Sequence, residues 1–344
     1  MNSVFSKAEG QNTLMKKTMT KINTIIIICL IMSGLILPTE ARTAAPVGCK
    51  NSTGSVQPKE SAAMSMLPRK LLPGKPVLDT EEIILEGISI DMVSGPTNEM
   101  PWENDDEFIK ARLRNGANVI LGGYRTVLKD PLPGEEYNVH LAASLLAGMV
   151  IKPGEVFSQN AAIGPYTQEK GFEKGPTYIG TTLTTTIGGG VCKIASTLYN
   201  VAVLSDLKIV ERHNHTMPVP YVPYGQDATV SFGNKDIRFA NNTGSDIMIW
   251  AQGIDNVLYM AFYGSKPAPE VEWKHEVLEV IKAPVQYKIN PKLGPDEKKL
   301  LLEGMDGAVV KSWITVSTSN SSETRYMGIS NYKPMPHLFE RGPQ

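Results

Sequence analysis

The sequence predicts a β-rich α+β protein, and three observations predict it. Most apolar residues fall in short β-prone runs closed off by Gly, Pro and Asn. Helical spacing of apolar residues is confined to a few stretches, beginning near Asn104, Asn138 and Cys192. Past residue 266 the β-prone runs continue without a helical stretch, which marks off a small all-β module over 267–344.

At 344 residues the chain is long enough for two domains, or one domain with an appendix. Its net charge of −1 provides no argument for nucleic acid or for an acidic polymer as partner. Lys16, Lys17 and Lys21 precede an apolar run from Ile25 to Leu37, broken by Ser33 and Gly34 and followed by small residues up to Ala45. Residues 1–43 therefore read as a secretory signal peptide or an uncleaved signal anchor, with Met15 as a candidate start. The run is shorter than the roughly 20 apolar residues of a membrane-spanning helix. Residues 44–79, rich in Ser, Pro, Lys and Gly, read as a flexible linker. Cys49 stands too far beyond the apolar run for a good lipid-attachment site.

The folded part is expected over 80–266. Glu82–Ile90 is a predicted strand, and Asn104–Arg114 a helix capped by Asn104 or Asp105. Asn118–Tyr124 is a strand, 130–134 a loop, and Asn138–Met149 a helix capped by Asn138. Pro153-Gly154 and Gly164-Pro165-Tyr166 are turns, and Thr177–Ile179 with Thr181–Thr186 form a hairpin. Leu207–Arg212 alternates as a strand and places His213 and His215 on one face. Val219–Gly225 is extended and proline-stiffened, as a sheet edge or cleft wall. Short strands follow over Asp227–Phe232, Ile237–Phe239, Ile247–Trp250 and Leu258–Tyr263. Val277–Ile281, Val285–Ile289 and Ser312–Val316 are the strands of the C-terminal module.

Chemistry concentrates between Gly188 and His215. Three glycines lead into Cys192, which opens a helix whose apolar face is Val191, Ile194, Ala195, Leu198 and Ala202. A thiol in a helix first turn meets unpaired amide groups and the positive end of the helix dipole, which favour thiolate. Of the other cysteines, Cys29 lies in the signal and Cys49 in the linker, so Cys192 has little structural use unless it pairs with Cys49 or is buried and inert. A cysteine with a nearby histidine is the minimal equipment for nucleophilic acyl transfer. Either histidine could be the base. His215 is favoured because His213 adjoins Arg212, and Asp227 could orient the base or simply cap a turn. Gly188, Gly189 and Gly190 could offer amides to an oxyanion, and Lys193 and Arg212 could hold substrate carboxylates. Tyr199, Tyr221 and Tyr224 either line a peptide cleft or pack. The rival chemistry is zinc held by Cys192, His213 and His215, for which no fourth ligand is evident from spacing.

These motifs resemble the VanW family. The resemblance rests on Pro153-Gly154-Glu155-Val156-Phe157-Ser158-Gln159-Asn160, Ile163-Gly164-Pro165, Gly188-Gly189-Gly190-Val191-Cys192, Ser196-Thr197-Leu198-Tyr199-Asn200, Glu211-Arg212-His213-Asn214-His215, Tyr221-Val222-Pro223 and Asp227-Ala228-Thr229, over about residues 120–262. Lys193 departs from it, since the family commonly has glutamine there. The segment ending Phe339-Glu340-Arg341-Gly342 resembles the glycine-marked β module that often follows such domains. The resemblance implies an exported, Gram-positive cell-wall protein. It further implies an L,D-transpeptidase with a cysteine nucleophile that makes 3-3 crosslinks between peptidoglycan stem peptides and needs no cofactor or metal. Membrane anchoring would come from the N-terminal segment. The alternatives are a non-catalytic peptidoglycan-binding or glycopeptide-resistance accessory module, or a zinc-binding hydrolase.

Overall fold

The computed structural model describes residues 93–344, apart from 130, 180 and 181. The predicted signal or anchor, the linker, Cys29, Cys49 and the Glu82–Ile90 strand lie outside the described residues.

After the two-residue strand β1 (Gly95–Pro96) comes helix α1 (Asp106–Arg114). Asp105 caps it, its Oδ1 accepting the Phe108 N–H at 2.9 Å. Acidic Asp106 and Glu107 open the helix and basic Arg112 and Arg114 close it, each complementing the dipole. There follow β2 (Val119–Val127), α2 (Glu135–Leu146), β3 (Val150–Ile151), β4 (Val156–Ser158), the short helix α3 (Gln159–Ile163), a hairpin of β5 (Lys174–Ile179) and β6 (Thr182–Ile187), and α4 (Cys192–Leu204). Next are β7 (Lys208–Glu211), β8 (Arg238–Ala240), β9 (Ile247–Ile254) and β10 (Val257–Gly264). From Glu270 on every regular element is a strand: β11 (Glu270–Ile281), β12 (Val285–Ile289), β13 (Lys298–Leu302), β14 (Gly307–Ser317), β15 (Ser322–Tyr332) and β16 (His337–Arg341).

The central sheet is antiparallel, in the order β1-β2-β10-β9-β3. Side chains alternate across it with period two. Ile247, Ile249, Ala251, Leu258, Met260 and Phe262 face α2 and α4, while Met248, Ala261 and Tyr263 face α1 through Phe108 and Ala111. With both faces covered, β9 and β10 read as nearly continuous apolar runs. Phe262 and Leu258 are fully buried, each stabilising the fold by about 1.5–3 kcal/mol relative to exposure. Gly122 on β2 admits α4 closely, since a Cβ there would stand 2.8 Å from Ser205 Oγ. A smaller sheet runs β4-β8-β7, and the C-terminal strands form sheets β11-β14-β15 and β12-β16-β13, in which β12 and β16 are parallel. The protein is thus β-rich α+β, with four α-helices among the described residues.

Several expectations are corrected. Helix α2 begins three residues before Asn138, behind Gly134 in the left-handed conformation (φ 81°). Asn138 is no cap: it is buried, donating to Glu173 O and Gly189 O and accepting from Glu173 N, all at 2.9 Å. Helix α4 is buried on all sides from Ile194 to Val203 rather than on one face. Val219–Gly225 forms turns, and Asp227–Val230 belongs to no sheet: both backbone groups of Ala228 bond to Ser196 on α4, and the Thr229 N–H donates to His213 O. α3, β13, β15 and β16 carry too little periodic apolar pattern to be legible. They are defined by capping from Ser158 and by strand pairing.

Candidate active site

The entry into α4 is shaped by glycine. Gly188 and Gly190 have φ of 76° and 103°, a region that costs other residues strain. Gly189 is required by proximity, since a Cβ there would lie 2.1 Å from Gly175 O on β5. The Gly188 and Gly189 amides, expected at an oxyanion, donate instead to Glu173 O at 2.9 Å and Thr186 O at 3.0 Å. Val191 takes helical dihedrals without a side-chain cap, so Cys192 is the first residue of α4, as expected.

Three polar side chains spaced four apart run down one stripe of α4, and they dock the segment that carries Asp227. Cys192 Sγ lies 3.4 Å from Thr229 Oγ1 and 3.7 Å from Val230 O. Ser196 Oγ donates to Ala228 O at 3.1 Å and accepts from Ala228 N at 2.9 Å. Asn200 Nδ2 donates to Gln226 O at 2.8 Å. The helix and the segment run in opposite directions, so one four-residue repeat places both the thiol and the carboxylate.

His215 reaches this pair from the chain leaving β7. Its Nδ1 is 2.6 Å from Asp227 Oδ2, and its backbone N–H donates to the same oxygen at 2.7 Å. With Nδ1 committed to the carboxylate, Nε2 is the nitrogen available to the Cys192 thiol. Tyr221 stands edge-on to the imidazole, ring centres 6.5 Å apart. Burial alone would push the Cys192 thiol up, but the hydrogen bond and charge of His215, with Thr229 and Val230, bring it down to about 7. Burial would push His215 down, and the hydrogen bonds to Asp227 and Cys192 raise it to about 9. Asp227 is buried, which disfavours its charge. The hydrogen bond and charge of His215, then Arg212, nevertheless hold it below the ordinary carboxylate range. A lowered thiol beside a raised imidazole favours a thiolate next to an imidazolium, a pairing that cysteine acyl transfer can use.

The remaining predicted residues separate. His213 does not share a face with His215: its Nε2 pairs with Glu211 Oε1 at 3.0 Å, and its carbonyl accepts the Thr229 N–H at 2.8 Å. The strand ends at Glu211, so period two no longer governs the two rings. The proposed zinc trio is not assembled, and no group of three or more metal-ligating side chains occurs among the described residues. Arg212, expected at a substrate carboxylate, is committed within the protein. Nε donates to Asp227 O at 2.7 Å, Nη2 to Asp227 Oδ1 at 2.9 Å and Nη1 to Ser330 Oγ at 2.8 Å. Lys193 is paired with Glu135 and lies 4.7 Å above the Tyr221 ring, so its charge is matched inside the protein. Tyr199 packs under Arg212 at 5.1 Å, and Tyr224 donates to Asp306 O at 2.8 Å. Cys192 is a free, half-buried thiol.

Sequence reasoning assigned no site role to Thr229, Ser330 or Tyr332. Thr229 sits in a motif beside Asp227 and was within reach of local reading. Tyr332, whose hydroxyl is 2.5 Å from Asp227 Oδ1, is 105 residues away and has no local signal.

Residues 134–263 match the sequence profile of the family described as VanW like protein. The chain is similar to the uncharacterized protein YoaR of Bacillus subtilis (strain 168), 37% identical over 145 residues, covering 42% of this chain and 48% of that one. It is also similar to the Vancomycin B-type resistance protein VanW of Enterococcus faecalis (strain ATCC 700802 / V583), 34% identical over 119 residues, covering 33% and 43%. The chain thus spans about half the length of the curated relatives it matches. Among solved structures, similarity extends to the crystal structure of HP0197-G5 (17% identity, 21% of this chain and 99% of that one, TM-score 0.14). It extends likewise to the IgA1 protease G5 domain (22% identity, 22% and 93%, TM-score 0.15).

Proposed function

Because the chain belongs to the VanW family through its domain at residues 134–263, we propose that it is an exported cysteine acyltransferase of the bacterial cell wall, an L,D-transpeptidase forming 3-3 crosslinks. The observation that carries this reading is the relay of Cys192, His215 and Asp227 at the start of α4, with Nδ1 of the imidazole 2.6 Å from the carboxylate. The same order of groups serves acyl transfer on unrelated folds.

In this reading the Cys192 thiolate attacks the carbonyl carbon of the L-Lys or diaminopimelate residue of a tetrapeptide stem. The tetrahedral oxyanion is met by the positive end of α4. The carbon–nitrogen bond to D-Ala breaks, and the His215 imidazolium delivers its proton to the departing amine. A thioester remains. The side-chain amine of a second stem attacks it, His215 takes that amine's proton, and the new amide forms as the thiol is restored. Asp227 holds the ring in one tautomer throughout. Residues 1–43 would direct export or anchor the chain, 44–79 would tether it, 80–266 would carry the reaction, and 267–344 would form a β module facing the wall. No helix among the described residues is long and apolar enough to cross a membrane.

The test is incubation of the purified protein with disaccharide-tetrapeptide. Mass spectra should contain 3-3 dimers with the wild type and none with Cys192→Ala. Absence of both dimers and acyl adduct from the wild type would overturn the enzyme reading in favour of a binding module.

A further inference from the structure

The segment that presents Asp227 is gripped on two sides. One side is α4. The other is the C-terminal sheet, and its grip is polar and specific. The Tyr332 hydroxyl, at the end of β15, accepts the Gly225 N–H at 2.8 Å and lies 2.5 Å from Asp227 Oδ1. The amide can only donate, so the hydroxyl's own proton is directed at the carboxylate. Two residues earlier, Ser330 Oγ accepts from Arg212 Nη1 at 2.8 Å, while Nη2 of the same guanidinium holds Asp227 Oδ1. Gln226 is 2.9 Å from His275 Nε2 on β11, whose Nδ1 is 3.0 Å from Ser312 Oγ on β14. At Gly225 (φ 87°) a Cβ would stand 2.3 Å from Ser312 Oγ, so backbone and sheet are in direct apposition. Tyr332 and Ser330 are themselves about 2% exposed.

We infer that Tyr332 is a positioning residue for the reaction: strand β15 fixes the Oδ1 side of Asp227 so that Oδ2 stays aimed at His215, and the C-terminal sheet is thereby part of the active site. The inference rests on the relay proposed above. The groups around it are few. Asp227 faces His215, Arg212 and Tyr332. His215 faces Asp227, Cys192 and Tyr221. Tyr332 faces Asp227, Gly225, Ser330, the Arg212 guanidinium and the Tyr224 ring at 5.3 Å.

Tyr332→Phe removes the hydroxyl and keeps the ring. A lost hydrogen bond to a charged group predicts an acylation rate lower by roughly 10–100-fold. If the hydroxyl positions the carboxylate, the pH midpoint for iodoacetamide alkylation of Cys192 should also rise, because a His215 less firmly paired stabilises the thiolate less. A hydroxyl that only supports the fold would lower the melting temperature and leave that midpoint in place. A folded Tyr332→Phe protein with the wild-type midpoint overturns the inference, whatever its rate. If Tyr332→Phe does not fold, Ser330→Ala carries the same test through Arg212, with Ser330→Thr expected to keep the wild-type profile. Alkylation needs no wall substrate. Failure of the wild type to make 3-3 dimers would therefore sink the proposed reaction, while an unmoved alkylation midpoint would sink this inference alone.

Discussion

Around Asp227 both carboxylate oxygens are held by named donors; along β12 and β13 most side chains meet solvent. Asp227 accepts from His215, Arg212 and Tyr332 while almost fully buried. Val285, Tyr287 and Ile289 on β12, by contrast, are each about half exposed, and those strands are held by pairing with β16. The difference shows where charge can be worked. In the buried region a charge cannot be screened, so each neighbour moves its titration and its orientation matters. In the outer strands water screens what the side chains do.

The contrast is broken most severely by His215→Ala, which should lower the acylation rate by roughly 10²–10⁴-fold with the fold intact. His213→Ala, two residues away and with its ring paired to Glu211, should leave the rate within a few-fold. Single-turnover kinetics of both variants measure this, and equal losses would mean the two rings share the work. Next in size, Asp227→Ala strands the Arg212 guanidinium without its carboxylate and should cost about 3–5 kcal/mol in urea unfolding. A loss under about 1 kcal/mol would mean water replaces the carboxylate easily.

A subtler effect concerns pH. The depressed Cys192 thiol contributes stability that grows as pH rises from about 7 toward its ordinary 9.0. The raised His215 contributes stability that is complete below its ordinary 6.5 and is lost as pH rises through about 9. Across pH 7 to 9 the two slopes oppose each other, because folding moves one proton from sulfur to nitrogen without net release. Wild-type unfolding free energy should therefore be flat across that window. Cys192→Ala removes part of what raises His215 and leaves Asp227 to raise it, so the falling slope should appear over a narrower window above pH 6.5. A wild-type unfolding free energy that changes steeply across pH 7 to 9 would refute the ion pair. The smallest effect belongs to the outer strands: Val285→Ala should change stability by no more than about 0.5 kcal/mol, and a loss above about 2 kcal/mol would show that β12 is buried against something in solution.

Much of the site was readable because it is local. Cys192 at the start of a helix followed from glycines ahead of an apolar period, and His215 with Asp227 followed from residue types close along the chain. Asn138 was misread as a cap because capping and burial use the same side-chain amide, and only the approach of Gly189 and Glu173 distinguishes them. His213 and His215 were placed on one face because period two was carried past the last paired residue.

What the sequence alone determined is the β-rich α+β class of fold, a cysteine at the start of a helix and the kinds of groups that could stand near it, since helix period, glycine freedom and thiol chemistry act over a few residues. The tertiary structure alone decided that Arg212 and Lys193 are internal partners rather than free cations. It also decided which histidine meets the carboxylate, and that a tyrosine 105 residues away holds it. Those outcomes depend on packing between distant strands and on competition among buried donors for one acceptor, and neither leaves a periodic trace along the chain.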